Sequence, residues 1–252
     1  MSSQLLDPSQ TFSSLADEIG LDVRLRKAVS RLGLVRPTLV QSKCLPLAIS
    51  SGRDLLVRAR TGSGKTLAYC LPLLQKILKH ALKDESIKAV ILVPTRELCT
   101  QVHKTLQALV FYASELVQTA VLSGGRLNKE ELARQEAMLR DCPNIVVATP
   151  GGLLVHIRSA KLDLKHVETL VVDEADLVLS FGKSNCLFKT SVRSLVKPGA
   201  NEQCFPNKRI YQRYCRNSKV PSKDLSRISH VSNAFSRVEF TKEYCASLSC
   251  HS

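Results

Sequence analysis

Ala59-Arg60-Thr61-Gly62-Ser63-Gly64-Lys65-Thr66 is the stretch on which the fold turns. An apolar segment at residues 54–57 leads into it, and apolar residues at helical spacing over 65–79 lead out. A glycine-rich turn between a strand and a helix lets backbone N–H groups point into one concavity, and the helix N-terminus adds partial positive charge. Thr61, Gly62, Ser63 and Gly64 are placed to form such a cradle. Lys65 can reach the outer phosphates of a nucleotide, and the Thr66 hydroxyl can hold magnesium. Ala59 stands at the first position, where the general motif has glycine.

The same alternation continues downstream. Apolar segments recur at residues 88–93, 118–122, 144–148 and 168–172, with helix-like stretches at 96–112, 127–139 and 151–159 between them. Strands too apolar to face water, each followed by a helix, predict an α/β fold with a parallel sheet covered on both faces. Upstream, Leu21, Leu25, Ala28, Val29 and Leu32 recur at helical spacing until Gly33. A second short helix is predicted over 40–49, and residues 1–20 read as a polar, Ser-rich lead-in.

The last apolar segment ends in Leu170-Val171-Val172-Asp173-Glu174-Ala175-Asp176. A buried strand delivers these carboxylates to its C-terminal end, where open α/β sheets bind ligands. An acidic loop of this kind is ordinarily a solvated turn. Beside a phosphate loop it gains a role: Asp173 to hold magnesium, Glu174 to orient and deprotonate the attacking water.

Composition narrows the function class. The 252 residues are 44% hydrophobic, enough for a sizeable core, and carry a formal charge of +14. That excess suits a polyanion such as nucleic acid, its plainer meaning being solubility. Residues 183–252 hold 13 Lys/Arg against 4 Asp/Glu, so the charge concentrates there. The nine cysteines are odd in number and include no C-x-x-C pair, which supports neither a disulfide framework nor a zinc site. Scattered thiols, no basic-then-apolar leader and no membrane-length apolar run predict an intracellular, soluble protein with no membrane partner.

Asp173-Glu174-Ala175-Asp176 is the tetrapeptide after which the DEAD-box RNA helicases are named, and residues 20–182 resemble that family. Gly33-Leu34-Val35-Arg36-Pro37-Thr38-Leu39-Val40-Gln41 resembles its Q motif, which implies that Gln41 selects the adenine of ATP. An amide can donate and accept at once, as an adenine edge requires. Pro94-Thr95-Arg96-Glu97-Leu98, Ser123-Gly124-Gly125 and Thr149-Pro150-Gly151-Gly152 resemble elements that grip RNA. By that resemblance Pro94, Thr95, Arg96, Gly124, Gly125, Thr149, Pro150 and Gly151 hold phosphates and sugars without reading bases. The resemblance implies a RecA-like lobe, ATP and Mg2+ as cofactors, catalysis through Lys65, Asp173 and Glu174, and RNA as partner. Residues 176–182 look like the nucleolar members associated with the large ribosomal subunit, which implies a ribosomal precursor RNA and a nuclear, nucleolar location.

The chain departs from the family pattern at four points. Phe12, the one candidate for the upstream aromatic that stacks on adenine, lies four residues further from Gly33 than usual. Gly152 stands where the family has arginine, which removes a cationic phosphate contact. The Ser-Ala-Thr motif expected after Asp176 is absent, as is the second RecA-like lobe with its arginine finger. Residues 183–252 show no sustained period and read as a basic, weakly structured tail unlike the family. A change of coding frame or splicing after Gly182 accounts for the last two, an independently evolved tail being the alternative. Three functions follow: an RNA helicase cut short, a non-catalytic ATP- and RNA-binding fragment, or a phosphate-loop ATPase acting on something other than RNA.

Overall fold

Four-residue strands form where the apolar segments were expected. In the computed structural model, which describes residues 5–51, 54–80, 86–124, 128–159, 162–180 and 209–214, these are β1 (Leu55–Arg58), β2 (Ala89–Leu92), β3 (Thr119–Leu122), β4 (Ile145–Ala148) and β5 (Thr169–Val172). Every residue of β2, β4 and β5 is buried, so these strands need helices on both faces. Those helices are α1 (Phe12–Glu18), α2 (Val23–Arg31), α3 (Leu39–Ile49), α4 (Lys65–His80), α5 (Arg96–Leu109), α6 (Lys129–Arg140), α7 (Pro150–Arg158) and α8 (Ala175–Ser180).

Alternation along the strands sorts their side chains between two cores. Ala89, Ile91, Ile145, Val147 and Val171 join Leu15, Leu25, Leu45, Leu74 and Leu106 from α1 to α5. Val90, Leu92, Val146, Ala148, Leu170 and Val172 join Leu153 of α7 and Val178 of α8 on the other face. Burial also keeps core thiols inert: Cys44 and Cys99 are both pushed up to about 12, chiefly by desolvation. Among the described residues no helix is long and apolar enough to cross a membrane, and no three or more His, Cys, Asp or Glu side chains form a group that could hold a metal ion.

Two expectations are corrected. The lead-in is not merely polar: Phe12, Leu15, Ala16 and Ile19 fall at helical spacing and are all buried. Phe12 is 3% exposed, its backbone N–H donates to Val35 O at 2.8 Å, and its ring therefore fills the core and offers no open face for stacking. The second correction concerns the tail, most of which lies outside the described residues. Arg209–Tyr214 forms a further strand, β6, parallel to both β1 and β5 and lying between them. Ile210, Tyr211 and Tyr214 are strong β-formers, and the gap between β1 and β5 takes one strand. The described sheet thus has six strands, all parallel, in the order β1-β6-β5-β2-β4-β3.

Phe12→Ala should lower unfolding free energy by about 3–5 kcal/mol, the cost of emptying an aromatic core site, while the folded protein keeps its ADP affinity. Denaturant unfolding and ADP titration check this. Unchanged stability with lost adenine binding would instead give Phe12 the stacking role.

Candidate nucleotide and nucleic-acid site

Each expected site residue that is described, Gln41 apart, follows the carboxyl end of a strand. The phosphate loop follows β1, Pro94-Thr95-Arg96 follows β2, Ser123-Gly124 follows β3, Thr149-Pro150-Gly151 follows β4, and Asp173-Glu174 follows β5. Strand order then divides them. β1 and β5 lie on one side of the sheet, separated only by β6, while β2, β4 and β3 are consecutive on the other.

On the first side, Gly62 and Gly64 turn the phosphate loop at φ +79° and +82°, backbone that side chains rarely adopt. A side chain at Gly64 would also meet Gln41 Nε2 at 2.5 Å. Lys65 and Thr66 open α4; Lys65 is buried and its ammonium donates to the Ala59 carbonyl, at the start of the loop. The Ser63 hydroxyl is buried with no hydrogen-bond partner among the described residues. Such an orphan beside a helix N-terminus fits an anionic ligand such as a nucleotide phosphate.

Gln41 is 3% exposed in the first turn of α3. Its Oε1 accepts from Thr38 N at 2.9 Å and its Nε2 donates to Gly64 O at 3.0 Å. The amide therefore ties the Q motif to the phosphate loop, and one N–H and one lone pair remain for an adenine edge.

Asp173 is 1% exposed, with its backbone N–H bonded to Leu92 O at 2.8 Å. Tyr69 Oη, from α4, donates to Asp173 Oδ2 at 3.0 Å, so the carboxylate and the phosphate-loop helix are in direct contact. Desolvation first, and the Asp173 charge second, hold the neighbouring Cys70 thiol well above its ordinary range. The hard oxygens of Thr66 and Asp173 are a donor set that suits magnesium. Glu174 is half-buried at φ +51°, an unfavourable left-handed backbone of the kind that concentrates at functional sites.

The other side is a second linked cluster. Thr95 and Thr149 are the N-caps of α5 and α7, their hydroxyls accepting from Leu98 N and Gly152 N. Arg96 Nε donates to Gly124 O at 2.9 Å, and Gly124 N donates to Thr149 Oγ1 at 2.7 Å. Three of the expected phosphate-gripping elements are thereby one hydrogen-bonded unit. Pro94 precedes the Thr95 cap, Pro150 and Gly151 form the first turn of α7, and Gly125 lies outside the described residues.

Sequence reasoning missed Tyr69, which lies one turn beyond Lys65 and Thr66 on the same helix face. It also missed the buried pair behind the second cluster. His156 Nε2 and Gln135 Oε1 lie 2.8 Å apart, and Gln135 Nε2 donates to Ser123 O at 3.2 Å.

Gly152 now has a steric reason. A Cβ there would collide with Leu122 O and approach Gly124 N to 2.6 Å, and a Cβ at Gly124 would collide with Gly152 N. The two glycines pack backbone against backbone. Gly152→Arg should therefore cost about 1–3 kcal/mol of stability, as overpacking does, despite adding a cation. Thermal unfolding checks this; an arginine variant at least as stable as the parent would show that the loop accommodates a side chain.

Three comparisons bear on this geometry. The family model for the DEAD/DEAH box helicase matches residues 38–205, running past Gly182. A protein of Dictyostelium discoideum named probable ATP-dependent RNA helicase ddx56 is 43% identical over 188 residues, 73% of this chain and 26% of the relative. The ATP-dependent RNA helicase dbp9 of Aspergillus terreus is 44% identical over 169 residues, 66% of this chain and 26% of its own length. The chain thus spans about a quarter of the length of these relatives. A solved structure described as the DEAD-box helicase Mss116 bound to ssRNA and UDP-BeF superposes with a TM-score of 0.74 at 27% identity, covering 92% of this chain and 45% of that one. Its RecA-like architecture agrees with the parallel sheet and flanking helices described above. With the family model matching most of its length, the chain belongs to the DEAD/DEAH box helicase family.

Proposed function

We propose that this chain is the ATP-binding lobe of an ATP-dependent RNA helicase of ribosome assembly, acting on precursor ribosomal RNA in the nucleolus. One observation carries the nucleotide half: Gln41, the phosphate loop and Asp173 are joined through α3, α4 and β5 by the Gln41–Gly64 and Tyr69–Asp173 bonds. Thr61, Gly62, Ser63, Gly64, Lys65 and Thr66 cradle the phosphates, Gln41 reads adenine, and Thr66 with Asp173 holds magnesium. Magnesium bound there neutralises phosphate charge and aligns the transferred group. Glu174 orients the attacking water and takes its proton.

Support for the nucleic-acid half comes from the Arg96–Gly124–Thr149 unit, whose hydroxyls, backbone N–H groups and helix starts suit phosphates and sugars. The relatives' names, ATP-dependent RNA helicase, favour RNA over another polyanion. The resemblance of residues 176–182 to nucleolar helicases supports the location. Turnover by the 252-residue chain alone should stay near background. The resemblance assigns transition-state charge stabilisation to an arginine finger of a second lobe, worth ~10³–10⁵ in rate.

Calorimetric titration tests the assignment. The chain should bind ADP in preference to GDP, and Gln41→Ala should erase the preference while phosphate-loop binding persists. Equal binding of ADP and GDP by the parent chain would remove Gln41 from its role.

A further inference from the structure

Tyr69 belongs to none of the motifs described above, yet it makes a direct hydrogen bond from α4 to Asp173. The donor and acceptor are 104 residues apart in sequence, and both side chains are buried, Tyr69 at 6% and Asp173 at 1% exposure. Water therefore competes poorly for either group. Tyr69 sits three residues beyond Thr66 and four beyond Lys65, so the phosphate loop and the Tyr69 ring occupy successive turns of one helix face. The helix that begins at the phosphate cradle thus also carries the donor to the carboxylate of β5.

We infer that Tyr69 is a positioning residue for magnesium: its hydroxyl fixes the rotation of the Asp173 carboxylate and keeps it in register with Thr66. The inference rests on the reading of Asp173 as the magnesium-holding carboxylate. A ligand carboxylate free to rotate must be ordered when the ion binds. One already held by a neutral donor loses less freedom, and the tyrosine adds no charge that would repel the cation. Outer partners of this kind commonly change metal affinity by about 10–100-fold when removed. A phenylalanine here fills the same space without the hydroxyl, so the bond can be deleted with little loss of packing.

The experiment titrates Mg2+ against ADP binding to the full chain, for the parent, Tyr69→Phe and Asp173→Asn, with ADP binding in EDTA as reference. Tyr69→Phe should raise the Mg2+ concentration for half-maximal effect by about tenfold or more, leave ADP affinity in EDTA unchanged, and broaden the electron paramagnetic resonance spectrum of Mn2+ bound with ADP. Asp173→Asn should raise it further. A shift in Asp173→Asn with none in Tyr69→Phe overturns the Tyr69 role and leaves the magnesium reading standing. No shift in either removes the magnesium reading and this inference with it. Equal weakening of Tyr69→Phe with and without Mg2+ makes the residue a packing element and overturns the inference.

Discussion

A parallel sheet buried on both faces leaves little room for polar side chains along its length, so polar chemistry gathers where the strands end. In this chain the constraint is severe, because β2, β4 and β5 are buried at every residue. The first polar residues after them are Thr95 and Arg96, Thr149, and Asp173. Each is met within a few residues of leaving the core, at the sheet edge where helices begin and backbone N–H groups are available.

Strand order turns that common edge into two sites. β1 and β5 bring the phosphate loop and Asp173 to one half, and β2, β4 and β3 bring the three gripping elements to the other. Each half is held by its own hydrogen bonds: Gln41 and Tyr69 on the first, Arg96, Gly124 and Thr149 on the second. β2 lies beside β5, so the halves share a boundary, and the Asp173 backbone N–H is bonded across it to Leu92 O. The strand β6 completes the first half by filling the space between β1 and β5.

Much of this was legible in the sequence because it is local. Apolar runs bounded by glycine, threonine or aspartate mark both the strands and their functional ends. The helix α1 was hidden by Ser13, Ser14, Asp17 and Glu18, although Phe12, Leu15, Ala16 and Ile19 carry its buried face. Six residues of β6 inside a basic, aperiodic stretch gave no pattern longer than themselves. The Tyr69–Asp173 bond and the packing of Gly124 on Gly152 were illegible for a different reason. Each joins residues distant in sequence, and only the sheet order brings them together.

The division of the edge into two halves is tested most directly by amide hydrogen exchange on the chain with and without ADP and Mg2+. Slowed exchange at residues 62–66 and at Glu174, with residues 95–98, Gly124 and 151–152 unchanged, is the predicted result. Protection confined to the second set, with the phosphate loop unaffected, would contradict it.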